Sequence, residues 1–228
     1  MRKILIIGGS KGIGGAILLS QLEQNNKVIN ISRSETRVNH PNLEHFSCDV
    51  LTDELPHIDE IDSLIYCPGS INLKPISSLK LEDYRNDFEI NVIGAIKAIQ
   101  FYTNALKKST SASVLLFSTV AVKMGMPYHS SVAVAKAGVE GLVRSLAAEW
   151  LSSIRINAIA PTLTNTELSA RFLRNEKMIE NSKERHPLKL ILEVNDVANM
   201  ANYLISEKAR ALSGQVFELD GGITTIKV

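Results

Sequence analysis

Short uninterrupted apolar runs alternate with longer stretches of helical period along this chain. Residues 4–7 form such a run and read as a strand buried on both faces. The period then changes, with Ile13, Ala16, Ile17, Leu19 and Leu22 recurring at helical spacing. Residues 27–31, 43–48, 61–67, 114–117, 154–159 and 215–219 read as further strands. Pro68-Gly69, Pro161 and Asp220-Gly221-Gly222 stop three of them. A long helix is predicted from about Leu81 to Lys107, with Phe88, Val92, Ile96 and Ile99 on one face, and a second from Val132 to Trp150. Asn195 is placed to cap a helix that starts at Asp196 and runs through Leu204. The link from Asp49 to Asp62 is too short for a full crossover helix, so one helix is trimmed or absent there. This alternation predicts an α/β domain over 1–228: a doubly wound parallel sheet of about seven strands with helices on both faces. Any ligand is then expected along the edge where the strands end.

The first turn carries chemistry. Gly8, Gly12 and Gly14 lie between the first strand and the first helix, a geometry that offers free backbone N–H groups to a phosphate. Gly8 suits the sharp turn, Gly12 the close approach of a pyrophosphate and Gly14 the packing of helix on strand. Composition narrows the rest. Apolar residues make up 45% of 228, and a net charge of +1 gives no basic field for nucleic acid. Cys48 and Cys67 are too few for a disulfide framework, and no histidines stand at metal-ligand spacing, so no metal site is expected. No run approaches ~18 apolar residues, and Gly8 and Gly9 interrupt the only leader-like segment. A cytoplasmic protein with a small-molecule substrate, and no membrane or nucleic-acid partner, is expected.

The order of motifs resembles the short-chain dehydrogenase/reductase family over essentially the whole length. Ile7-Gly8 through Gly12 and Gly14 is similar to its opening glycine turn, with Ile7 in place of threonine. Asp49-Val50 resembles its adenine-side pair, Pro68-Gly69 ends a stretch of which only the glycine matches, and Asn91 matches the asparagine of its central helix. Pro161-Thr162-Leu163-Thr164-Asn165-Thr166 and Gly214 through Gly222 resemble its closing motifs. The resemblance implies a Rossmann-like fold. It also implies nicotinamide-cofactor contacts at Gly8, Ser10, Lys11, Gly12, Ile13, Gly14, Ser32, Arg33, Asp49, Val50, Pro68, Gly69, Asn91, Lys136, Pro161, Leu163, Thr164 and Thr166. After the second strand stands Ser32-Arg33-Ser34, with no acid before Glu35. A guanidinium there, with Lys11 as a second cation, suits a 2′-phosphate and predicts NADP(H) in preference to NAD(H).

Family enzymes pair a tyrosine with a lysine one helical turn later, whose charge lowers the phenol's pKa. Lys136 matches that lysine, but Val132 stands where the tyrosine belongs, and Thr119 falls at the serine position. Replacement acid/base groups are sought in Tyr128, which shares the face of Val132 if the helix extends that far, and in His129, whose ordinary pKa suits proton transfer. Residues 162–192, polar and without a strong period, are placed to act as a substrate lid. These readings lead to an NADP(H)-dependent oxidoreductase for a small carbonyl or alcohol, with Lys136, Asn91 and Thr119 lining the nicotinamide pocket. The alternatives are a catalytically silent NADP(H)-binding sensor or partner subunit, and a non-redox lyase or isomerase. The resemblance also implies a homo-oligomer, a tetramer or dimer built on the two long helices.

Overall fold

The computed structural model describes residues 1–227. Its seven strands are β1 (Lys3–Ile7), β2 (Lys27–Ser32), β3 (Leu43–Ser47), β4 (Ser63–Tyr66), β5 (Ser113–Phe117), β6 (Arg155–Pro161) and β7 (Val216–Leu219). They form one all-parallel sheet in the order β3-β2-β1-β4-β5-β6-β7, so the predicted doubly wound architecture is the one observed. Alternate residues of a strand point to opposite faces, and both faces are covered. Leu5 and Ile7 join a core with Val92, Ile99 and Val139, whereas Ile4 and Ile6 join another with Ile17, Leu18, Val197 and Ala201. The first layer holds α2 (Leu81–Phe88), α3 (Gly94–Leu106) and α4 (Ser130–Trp150). The second holds α1 (Gly12–Glu23) and α6 (Val194–Ile205), with α5 (Glu176–Glu184) outside the sheet in the predicted lid. No helix joins β3 to β4, as the short link predicted.

Three local expectations are corrected. In α1 it is Leu18 that is buried, beside Ile17 and Leu22, while Leu19 is 47% exposed. A step of 100° per residue puts Leu18 on the face of Gly14 and Leu22 and turns Leu19 outward. The last helix starts at Val194, not Asp196. Glu193 is its N-cap, and the Asp196 carboxylate accepts the Glu193 N–H at 2.8 Å, leaving Asn195 inside the first turn.

The third correction matters most for the site. The helix predicted through Leu81 to Lys107 is interrupted by a π-helical turn, Glu89–Ile93. One extra residue per turn shifts the phase of everything before it, and Phe88, expected on the buried face, is 39% exposed. Two side chains support the turn. Tyr66 Oη donates to the Ile90 carbonyl at 2.7 Å, and Asn91 Nδ2 donates to the Asp87 carbonyl at 2.7 Å. Gly94 closes it, because a Cβ there would be driven into the Tyr66 hydroxyl.

This packing makes a testable statement. Gly94→Ala should lower the unfolding free energy in urea by about 1–3 kcal/mol, the usual cost of overpacking. Adding Tyr66→Phe, which removes the oxygen nearest the new methyl, should return part of that loss.

Candidate active site

The strands end at a crevice between β1 and β4, where the order of the sheet reverses direction. On one side lies the glycine turn. Gly8 has φ +82° and Gly12 φ +59°, conformations that L side chains rarely take. A Cβ on Gly14 would meet the Gly8 carbonyl oxygen and the Cys67 side chain, so the turn folds back directly onto the start of α1. Asn30 Oδ1 accepts the Gly9 N–H at 2.9 Å and anchors the loop to β2. No side chain caps α1, so its first N–H groups have no side-chain acceptor at the N-cap.

The two predicted phosphate cations stand beside this turn. Lys11 forms an ion pair with Glu167 of the lid at 2.8 Å, and its ammonium holds the Glu167 carboxyl below the usual carboxylate range. Arg33 is 72% exposed in its side chain and lies 3.8 Å from Asp49. The Ser32 hydroxyl is turned back to the Ser34 carbonyl, and Val50 is buried beside Asp49.

Deeper in, a cleft of about 390 Å³ is lined by Ile13, Gly69, Ser70, Thr119, Val132 and Lys136, with Pro161, Leu163, Thr164 and Thr166 from the end of β6. Lys136 is buried and donates to the Phe117 carbonyl at 2.8 Å. Loss of water draws its amine down to about 8, against a smaller upward pull from Cys67 and Asp87. Asn91 lies close by. A Cβ on Gly69 would come 3.1 Å from Asn91 Oδ1 and 3.5 Å from Lys136 Nζ, so three predicted site residues meet at one point. Asn91 Oδ1 is buried and has no partner among the described residues. Thr119 Oγ1 accepts the Ala121 N–H at 3.4 Å while facing the same cleft.

Val132 sits one turn before Lys136 on α4 and lines the cleft with it. The two nearby candidates for an acid/base role, His129 and Tyr128, differ in placement. His129 reaches the cleft; its Nδ1 is 2.7 Å from the Pro127 carbonyl and so carries the proton, leaving Nε2 as an acceptor in the neutral ring. Tyr128 does not reach it. The helix starts at Ser130, Tyr128 has φ +70°, and its side chain is 58% exposed over a separate surface depression. The expectation of a helical face shared with Val132 is therefore corrected: a left-handed residue breaks the spacing on which it depended.

Other residues of this region came to light only in three dimensions. His186, which precedes Pro187, is buried in the cleft wall. Its Nδ1 meets the Ser182 carbonyl at 2.8 Å and its Nε2 the Thr162 hydroxyl at 2.8 Å, which ties this part of the segment back to the residue just after β6. Ser169 ties the other end of that loop, donating to the Thr164 carbonyl at 2.5 Å. Ser70 and Asp87 share a hydrogen bond beside Asn91. The spacing of Asp87 and Asn91, four apart in a helical pattern, was the signal that could have found the carboxylate. Cys67 is inert as a nucleophile, since burial pushes its thiol up to about 12. No group of three metal-ligating side chains occurs, and no helix is long and apolar enough to cross a membrane, among the described residues.

Comparison with known proteins places the chain among related sequences and folds. A family described as enoyl-(acyl carrier protein) reductase matches residues 45–224. A tropinone reductase homolog of Arabidopsis thaliana is 30% identical over 240 residues, which cover 96% of this chain and 92% of the relative. Among solved structures, 4-hydroxyisoleucine dehydrogenase complexed with NADH superposes with a TM-score of 0.90 at 23% identity, covering all of both chains. ElxO with NADP bound superposes with a TM-score of 0.88 at 22% identity over 99% of this chain and 100% of that one. These two share the fold.

The state of Lys136 can be measured without any ligand. The folded amine releases its proton near 8, whereas the unfolded one keeps it to about 10.5. The folded chain thus binds fewer protons in that window, and stability rises with pH across it. The unfolding free energy of the wild type, minus that of Lys136→Met, should climb by about 1.4 kcal/mol per pH unit between those values. A flat difference would show that the amine is not desolvated.

Proposed function

The chain belongs to the short-chain dehydrogenase/reductase family, and on that premise we propose an NADP(H)-dependent oxidoreductase of small carbonyl or alcohol substrates with an altered acid/base, because Val132 occupies the tyrosine position. The observation that carries this reading is the meeting of Gly69, Asn91 and Lys136 at the end of the sheet. The residues present fit a dinucleotide. The glycine turn leaves open N–H groups for a pyrophosphate, and the unpartnered Asn91 oxygen and the Lys136 ammonium supply an acceptor and donors for a ribose or its bound water. Bound there, a nicotinamide supplies or accepts the hydride. Relatives of this fold bind either form of the cofactor, NADP in ElxO and NADH in 4-hydroxyisoleucine dehydrogenase.

Preference for NADP(H) rests on charge. Arg33 and Lys11 are exposed cations that pair with Asp49 and Glu167, and Ser32-Arg33-Ser34 at the end of β2 carries no carboxylate for a 2′-hydroxyl. Thr166, whose hydroxyl lies 3.1 Å from Ser169 Oγ, is positioned to hold the carboxamide. Hydride transfer needs donor and acceptor in line, which the cleft and the lid of residues 162–192 would provide by enclosing the substrate. Val132 alone favours the rival reading of a silent NADP(H)-binding subunit, and turnover separates the two. Self-association through the long helices draws support from Phe101 on α3 and Val134 on α4, 45% and 58% exposed.

The test is calorimetric titration with NADPH and NADH. NADPH should bind more tightly, and Arg33→Ala or Lys11→Ala should weaken NADPH by roughly 10- to 100-fold, the worth of a charge-assisted hydrogen bond, while barely changing NADH. Equal binding of the two cofactors rejects the preference. Binding of neither rejects the function.

A further inference from the structure

With Val132 one turn before Lys136, the cleft needs another group to exchange the substrate's proton. We propose that Ser70 does so, with the buried Asp87 as the carboxylate that takes and returns the Ser70 proton. This rests on the oxidoreductase reading above and names the group that reading leaves open. Ser70 follows Gly69 directly and lines the cleft. Its hydroxyl donates to Asp87 Oδ1 at 2.5 Å and accepts from Asn91 Nδ2 at 3.1 Å. Both lone-pair and proton directions of the oxygen are thereby set by side chains whose backbone is fixed in and just before the π turn.

Asp87 is the telling residue. It is 3% exposed, and its Oδ2 has no partner among the described residues. Burying a carboxylate costs several kcal/mol unless it is paired, and leaving one oxygen orphaned raises that cost. Asparagine or an apolar side chain would fill the same place at less expense. The orphaned Asn91 Oδ1 lies next to it in the fold, and the Lys136 ammonium faces the same glycine. Two unsatisfied acceptors around one cleft-facing hydroxyl describe a site in which a proton is meant to move.

A serine hydroxyl alone titrates too high to act, and an adjacent base corrects this. In the oxidative direction the substrate O–H bond breaks and its proton joins Ser70 Oγ. The original Ser70 proton passes to Asp87 Oδ1, which becomes a neutral carboxylic acid. The substrate's C–H bond breaks with its electron pair, which goes as hydride to the oxidised nicotinamide, the two-electron oxidant, and a carbonyl remains. Asp87 afterwards returns its proton through Ser70 to water in the opened cleft. Reduction of a carbonyl is the same sequence reversed.

The free protein provides the first readout. Its proton NMR spectrum should contain a strongly deshielded hydroxyl resonance, lost in Ser70→Ala and in Asp87→Asn and retained, shifted, in Ser70→Thr. Kinetics with NADPH then use two probes, ethyl acetoacetate and 9,10-phenanthrenequinone. The ketone forms a strongly basic alkoxide and requires a proton donor, whereas the reduced quinone oxygen is a weak base. Ser70→Ala and Asp87→Asn should lower kcat on the ketone by roughly 10²- to 10⁴-fold with KM within about threefold, and the ratio of ketone to quinone rates should fall with it. Ser70→Thr should recover most of the ketone rate. Absence of the resonance, an unchanged ketone-to-quinone ratio, or a loss of that size in His129→Ala with Ser70→Ala unaffected would each overturn the relay. NADPH binding with neither probe reduced overturns it too, in favour of the silent reading, whereas failure to bind NADPH overturns the oxidoreductase reading itself.

Discussion

Leu5 and Ile7 are buried under one layer of helices and Ile4 and Ile6 under the other, and the same holds for the central strands β4 and β5. Covered on both sides, the central strands leave no face in water, so polar side chains are admitted there only where they close a hydrogen bond. Asn30 shows how. It is fully buried, yet its amide bridges the Gly9 N–H, the Ser32 hydroxyl and His45 Nδ1, binding the glycine turn to β2. Asn157 performs the same service at β6, accepting from Gln215 N and donating to the Leu212 carbonyl ahead of β7. Because the faces are closed, chemistry is confined to the strand ends.

The π turn decides how that edge is equipped. Had α2 and α3 formed one uninterrupted helix, Asn91 would lie in a different phase relative to Val92 and the core below. The widened turn instead presents the Asp87 side chain and the Asn91 amide beside Gly69, with the Tyr66 phenol and the bare Cα of Gly94 holding the turn open from beneath. Stability and site are coupled here through a single local irregularity.

The segment 162–192 is held unevenly. At its base His186 and Ser169 are buried and fully engaged with Thr162, Thr164 and Ser182. At its mouth the contacts are the exposed Lys11–Glu167 ion pair and a hydrogen bond from Arg171 to the Ile71 carbonyl. Exposed ion pairs contribute only about 0–1 kcal/mol, so the rim can part at little cost while the base stays in place.

Period and punctuation alone determined most of the architecture. The seven strands, their parallel arrangement and the missing helix after β3 followed from apolar runs, punctuation and chain lengths, most clearly for the central strands, where double-sided burial leaves a continuous apolar run; the strand order did not. Gly8, Gly12 and Gly14 could be read from the strand–turn–helix they punctuate, whereas Gly69, Asn91, Thr119 and Lys136 were singled out through the family resemblance of their motifs. What depended on the phase of a helix or on contact between distant segments was not legible. A π turn has no compositional signature, and a left-handed residue at 128 cannot be read from Pro127-Tyr128-His129. Asp87 and Ser70 lie 17 residues apart, and His186 and Thr162 lie 24 apart. Their pairing is decided only when the chain packs, because a hydrogen bond between remote side chains leaves no period behind it.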